Sequence, residues 1–447
     1  MVTGFETSEK QLTDEKVIGN VKPHFALIAD THAWESTNLS LVENQIGRFA
    51  KENYGDDVKL DKGEKNGVKF FHWTGKDNRK IFVSVIGSVI YVGNDDTIID
   101  KCVAVKKGES ENLLKNESLV RVRESVGEGN LAMGYVSPDG IKQLANLAGI
   151  STAINFSESE LVRSFIAKNL PIILQKTTKE ISWTARKTDR GIEDKLFIKT
   201  DTEVSSIWKE TLTAKNDSNF QSAQFLPNEV NSFTRYSLQN PNIAWRSILL
   251  TTSKQLDAVD GKILSQFAGN LFAPYGIEDI EIFLNSVGSE IVTVSFDEEG
   301  VVIAEIKDAE NLKKSITKEI NFKVQKNPNL WQSEDKLLTA AIIENRLILG
   351  DTESVTKCLQ AKENGNNFTK SESFQRFTNI KAMTVTFAKD SETAEKIVEI
   401  LGEPKEENKS ATSFYLTGTR FDNNGIERKT VSDFGLLGEI IKKFEKE

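Results

Sequence analysis

The chain reads as an α+β protein made of two tandem, divergent copies of one antiparallel-sheet-plus-helices module, arranged as a pseudo-symmetric two-lobed body. Three observations carry this reading. Two apolar hairpins of the same shape recur, KIFVSVIGSVIYVG at 80–93 and KLLTAAIIENRLILG at 336–350. Further matched blocks follow each hairpin in the same order. Strand pairs and helical stretches alternate irregularly, without the strand–helix–strand rhythm of a parallel sheet, so helices are expected on one face of a curved sheet.

Taken in order, the matched blocks begin with an apolar strand, FALIAD at 25–30, answered by VVIAEIKD at 301–308. The stripe Leu39, Val42, Ile46 and Phe49 has the spacing of one buried helical face, and Leu312, Ile316 and Ile320 match it. After each hairpin comes a short helix, DDTIIDKC ending at Cys102 and DTESVTKC ending at Cys358. KNESLVR (115–121) and KSESFQR (370–376) then share Lys, Glu, Ser and Arg at matched places. Strands over 131–136 and 381–388 lead into helices over SPDGIKQLANLAG (137–149) and KDSETAEKIVEILG (389–402). Finally WTARKTDRGIE (183–193) and YLTGTRFDNNGIE (415–427) are hairpins with Gly191 or Gly425 at the turn.

These blocks place a first module at 1–210 and a second at 223–447. The first carries an insertion at about 150–180, with its own amphipathic run at Leu161, Val162, Phe165 and Ile166. The second has an extra N-terminal segment, 225–285, in which Asn240 caps a helix and Pro241 opens its first turn. The first module lacks a counterpart of that segment before Met1, so the expectation is an N-terminally incomplete module from a longer parent chain. TLTAKNDSNFQS (211–222) reads as a linker and EPKEENKS (403–410) as a solvated loop.

LPNEV-x-SFTRY-x-L-x-NP-x-x-AW at 226–245 and GIEDIEIFLNSVGSE at 276–290 resemble an uncharacterised bacterial family, domain of unknown function 3352. ENRLILGDTESVTKCLQA (344–361) and SESFQRF (371–377) look like its second half. The resemblance covers mainly 225–447. It implies a fold and an extracytoplasmic or envelope location, and assigns no catalytic residue. The residues themselves leave the cytoplasm equally open.

Composition sets further bounds. With 38% hydrophobic and 28% charged residues the 447-residue chain is globular. A net charge of −9 without a basic stripe argues against a nucleic-acid surface. No apolar run reaches the ~20 residues that span a bilayer. Two cysteines, Cys102 and Cys358, are too few for a thiolate zinc site, and their matched helical positions point to buried thiols.

The sharpest chemical candidate is LIADTHAWE at 27–35, where Asp30-x-His32 at a strand end resembles the opening motif of metallophosphoesterases. VGNDD (92–96) superficially resembles that family's second motif. Such a centre needs more histidines than His24, His32 and His72, Asp95 stands where a histidine belongs, and the matched segment, which ends IAEIKDAE, carries neither ligand pattern. The bland reading is a polar strand terminus. Carboxylate groups at 278–281 and 297–300 read as solvated charge, GEGN (127–130) as a turn, and the six tryptophans as packing residues. Asn38-Leu39-Ser40 is a sequon that matters only in a glycosylating pathway.

No catalytic, cofactor-binding or metal-binding residue is therefore assigned. The expectation is a non-enzymatic binding or structural protein, with a small-molecule or protein ligand in the groove between the modules. The alternatives are a phosphoesterase using Asp30 and His32, or an enzyme with an unfamiliar inter-module site.

Overall fold

The computed structural model describes residues 1–447 apart from 14–15, 77, 125, 127–128, 157–158, 216–218, 297–298, 323–328, 391–412, 423, 437 and 439–447. The chain forms two compact units, Met1–Glu124 and Ser125–Glu447. All strand pairs in both are antiparallel, so the class is α+β.

In the first unit, β1 (Val2–Thr13) and β2 (Lys16–Asp30) precede α1 (Glu35–Leu41), a π-helical turn (Val42–Ile46) and α2 (Gly47–Tyr54). Then come β3 (Lys59–Lys65), β4 (Val68–Thr74), β5 (Lys80–Ile86), β6 (Val89–Gly93), α3 (Asp96–Lys107) and α4 (Glu117–Glu124). The sheet order is β1-β2-β6-β5-β4-β3.

The second unit opens with β7 (Asn130–Val136), α5 (Pro138–Phe156), α6 (Glu160–Thr177), β8 (Thr178–Thr188), β9 (Gly191–Thr200) and α7 (Thr202–Thr211). It continues with β10 (Ser232–Ser237), α8 (Pro241–Ser253), α9 (Ala258–Asn270), α10 (Ile280–Ser286), β11 (Val287–Phe296), β12 (Glu299–Ile306) and α11 (Ala309–Ser315). β13 (Leu330–Gln332), β14 (Leu338–Ile343), β15 (Arg346–Asp351), α12 (Thr352–Glu363), α13 (Ser373–Thr378), β16 (Thr384–Asp390), β17 (Ser413–Asp422) and β18 (Gly425–Ser432) complete it. These strands form one twelve-stranded sheet, β13-β14-β15-β12-β11-β10-β16-β17-β18-β9-β8-β7.

The order β1-β2-β6-β5-β4 of the first sheet recurs as β11-β12-β15-β14-β13 in the second. Local chemistry recurs with it. The β14–β15 turn places Glu344 and Asn345 in the left-handed region, and the β5–β6 turn does so with Gly87. The Asp95 carboxylate accepts from the N–H of Thr97 to cap α3, and Asp351 does the same for α12 through Ser354. Asn240 caps α8 with Pro241 at its first position, as the sequence indicates.

Several expectations are corrected. The helices do not lie on one face. In the first sheet Phe71, Val83 and Ile90 pack with Val42 and Ala50 on one side, while Phe82 and Tyr91 pack with Ile98 and Cys102 on the other. In the second, Val301, Ile303 and Ile348 pack toward Cys358, whereas Val302, Ala304 and Leu347 pack toward Leu312. Burial on both sides is why these strands read as continuous apolar runs.

The Leu39–Val42–Ile46–Phe49 stripe breaks at the π turn. The extra residue shifts the helical phase, so Gly47 and Ala50 face the core and Phe49 turns to solvent. α11 ends at Ser315; Ile316 and Ile320 are buried but lie in bridged extended chain. The two ends of the proposed linker are packed, with 216–218 outside the described residues: the Thr211 hydroxyl donates to Ser247 Oγ at 2.8 Å, and Leu212, Phe220 and Ser222 are buried. The boundary expected between 210 and 223 is no break in the sheet, because β9 pairs with β18. The 150–180 insertion is α6 with the end of α5. The 403–410 loop and most of the 389–402 helix lie outside the described residues.

Candidate functional site

The residues singled out in the sequence do not converge. Asp30 accepts from the backbone N–H of His32 at 3.1 Å, a local turn that holds His32 at φ 54 with its ring 87% exposed. Hydrogen bonds from Ser88 and that N–H hold the Asp30 carboxyl below its usual range. Asp95 instead meets His24 Nδ1 at 3.0 Å. His72 sits between the rings of Phe70 and Phe82, and burial lowers its pKa. Among the described residues no group of three or more His, Cys, Asp or Glu side chains is placed to hold a metal ion.

Cys102 and Cys358 are free and buried. Burial pushes the Cys102 thiol up, and pushes Cys358 up to about 12, so neither is a thiolate nucleophile near neutral pH. Asp279 of the 278–281 group caps α10. Glu299 of the 297–300 group lies against Asp351, whose hydrogen bond and charge raise its pKa. Trp73, Trp208 and Trp331 are buried as expected, whereas Trp34 is 85% exposed. Asn38, the sequon asparagine, is buried and donates to the Gly87 carbonyl at 3.0 Å.

What does converge is a recess of about 630 Å³ on the face of the β8–β9–β18–β17 sheet, overhung by the 379–382 segment before β16. Strand alternation puts Arg186 of β8, Glu193 and Lys195 of β9, Glu427 and Lys429 of β18, and Arg420 of β17 on this face. Arg186 stands opposite Glu193, and Arg420 opposite Glu427. Lys195 and Lys429 are also directly opposed, a like-charge pair that is unfavourable by itself. Each resolves this by leaning to the other's carboxylate. Lys429 meets Glu193 at 2.6 Å and Lys195 meets Glu427 at 2.8 Å, while Arg186 meets Glu193 at 2.8 Å and Arg420 meets Glu427 at 2.6 Å.

The two carboxylates are nearly buried, with side chains 12% and 6% exposed, whereas the four cations are about half exposed. The floor therefore presents more positive than negative charge, and Lys381 at the rim adds to it. Gly418 permits the overhang: a β-carbon there would lie 2.7 Å from Ile380 Cγ2.

Burial pushes Glu427 up, but Lys195 and Arg420 outweigh it and hold the carboxyl below its ordinary 4.5. Its folded pKa is thus below its unfolded one. The stability it contributes is present above about pH 4.5 and is lost as pH falls through the folded value. Glu427→Gln should therefore lower Tm at neutral pH and show a smaller further loss than wild type between about pH 5 and pH 3. Scanning calorimetry across that range checks it; equal pH slopes refute the assignment.

Sequence reasoning missed this cluster, although its signal is present. Arg-x6-Glu-x-Lys occurs at 186–195 and again at 420–429, the two hairpins already matched as repeats. Each hairpin supplies one Arg, one Glu and one Lys, and the lysines are exchanged across the β9–β18 seam.

Among the described residues no helix is long and apolar enough to cross a membrane. No family model matches the chain, and no curated protein is similar to it. Crystal forms of TP0453 show a slight structural similarity that adds no argument to the geometry above. Form I has a TM-score of 0.28 at 8% identity, over 50% of this chain and 98% of that one. Form IV scores 0.26 at 8% identity over 52% and 98%, and form III 0.25 at 9% over 51% and 100%.

Proposed function

We propose that this chain is a non-enzymatic binding protein of the bacterial cell envelope, and that the recess over the β9–β18 seam takes an anionic small molecule. One observation carries the ligand reading: four half-exposed cations surround two nearly buried carboxylates, so the surface met by a ligand is positive. The recess has the volume of a small-molecule site. Ile380, Ala382 and Leu416 add apolar wall, which suits an anion with an organic body.

The same geometry supports a role without catalysis. Glu427 holds two cations that keep its carboxyl below the ordinary range, which makes it a poor general base or acid near neutral pH. The envelope location rests on the resemblance of 226–245 and 276–290 to the bacterial family named above. Recovery of the native protein in the cytosolic fraction would overturn that location without touching the binding reading.

Calorimetric titration with inorganic phosphate, citrate and a sugar phosphate tests the site. Saturable binding that weakens as salt rises is the expected result. The Lys195→Gln/Lys429→Gln variant keeps both Arg–Glu pairs and should bind at least about tenfold more weakly. No binding of any of these anions, or equal binding by the variant, overturns the reading.

A further inference from the structure

We infer that the recess over the β9–β18 seam takes one ligand with an anionic group at each end, held between two equivalent cationic ends of the recess floor. This deepens the binding reading above and rests on it.

The two ends are related by a local two-fold. β9 and β18 run antiparallel, and Lys195 stands opposite Lys429 at the centre of the floor. Rotation about the midpoint of that pair exchanges β9 with β18 and β8 with β17. It carries Arg186 onto Arg420, Glu193 onto Glu427 and Lys429 onto Lys195, since Arg186 pairs with Glu193 just as Arg420 pairs with Glu427. The ion pairs obey the same operation. Arg186 and Lys429 meet Glu193 at 2.8 and 2.6 Å, and Arg420 and Lys195 meet Glu427 at 2.6 and 2.8 Å. The cations are 47% to 51% exposed, so both ends are equally open to a ligand.

Each end sets two cations against one carboxylate and so attracts one anionic group. Asp422, 3.6 Å from Arg420, offsets charge at that end, and Lys381, on the overhang beside β17, restores it. The spacing follows from the register, in which Glu427 pairs with Phe197, four residues along β9 from Glu193. At about 3.4 Å per residue and about 4.8 Å between strands, the two glutamates are rooted about 14 Å apart, and the midpoints of the two cation pairs lie about 8 Å apart. A compact anion such as phosphate reaches one end only. Two anionic groups joined by a spacer of that length reach both, and the second contact, being intramolecular, raises affinity without any new interaction type. The central lysines lean apart to opposite glutamates, which leaves their methylene stems under the middle of the ligand. With Leu416 and Val431 also in the lining, the spacer that fits is apolar.

Calorimetric titration of the full chain with linear dicarboxylates tests this. Suberate, sebacate and dodecanedioate, whose extended lengths fall in that range, should bind one per chain and at least about tenfold more tightly than succinate, which is too short. Sebacate should also bind at least about tenfold more tightly than decanoate, although its second carboxylate makes it the less hydrophobic of the two; a purely apolar site reverses that order. Arg186→Gln and Arg420→Gln should each bring sebacate down to the level of decanoate. Affinity independent of length, two dicarboxylates per chain, or decanoate bound as tightly as sebacate overturns the two-ended ligand and leaves the anion site standing. No binding of any dicarboxylate, phosphate, citrate or sugar phosphate removes the site itself, and this inference with it.

Discussion

Replacing Glu290 by Gln should destabilise the second unit by about 3–5 kcal/mol, because it strands two buried guanidinium groups. Glu290, on β11, is flanked by Arg235 of β10 at 2.8 Å and Arg346 of β15 at 3.4 Å, and all three side chains are less than a tenth exposed. The carboxylate also accepts from Ser222, at 3.2 Å from its N–H and 2.7 Å from its hydroxyl. Arg235 reaches on to the Asn219 carbonyl at 2.8 Å, and Arg346 to Gln221 Oε1 at 3.0 Å. One carboxylate thus separates two cations and ties the 219–222 chain to the sheet. An amide keeps the shape and removes the charge. Urea denaturation followed by fluorescence measures the loss; a change under about 1 kcal/mol refutes the account. The Arg235→Met/Glu290→Met/Arg346→Leu variant should be more stable than Glu290→Gln, since it removes the desolvated charges together.

This network also shows where sequence reading reached its limit. The hairpins, the cap at Asn240 and the buried thiols were legible because each depends on residues close in sequence, whereas the caps at Asp95 and Asp351 have the same local signal and were not read. The continuous runs IFVSVI and RLILG already spoke for burial on both faces, and the one-face expectation read past them. The segment 211–222 looked like a linker because it lacks periodicity. The packing of its two ends is set by Glu290, 68 positions from Ser222, by Ser247, 36 positions from Thr211, and by Arg235, 16 positions from Asn219, and no local pattern reports that. The recess was half legible. Its hairpins were matched, but the meaning of Arg-x6-Glu-x-Lys depends on β9 pairing with β18, a contact between chain segments over two hundred residues apart.

Phe233→Ala should have an effect of similar size, about 3–5 kcal/mol and toward the upper end. Phe233 is 1% exposed on β10, and its ring lies 4.8 Å from that of Phe368, 4.9 Å from Phe377, 5.5 Å from Phe387 and 6.1 Å from Phe220. Truncation opens a cavity at the centre of these rings and removes four aromatic contacts, each worth about 0.5–1.5 kcal/mol beyond area alone. Phe233→Leu, which keeps most of the volume, should lose about half as much or less. Both changes are read as shifts in denaturation midpoint at constant slope. Phe220 links this cluster to the charge network, since the Arg235 guanidinium lies 4.8 Å over its ring. Phe233→Ala and Glu290→Gln therefore loosen the same 219–225 chain, and the second change should cost less once the first is made. A double-mutant cycle should give a coupling of about 0.5–3 kcal/mol. Strict additivity would mean that the aromatic cluster and the buried ions hold that chain independently.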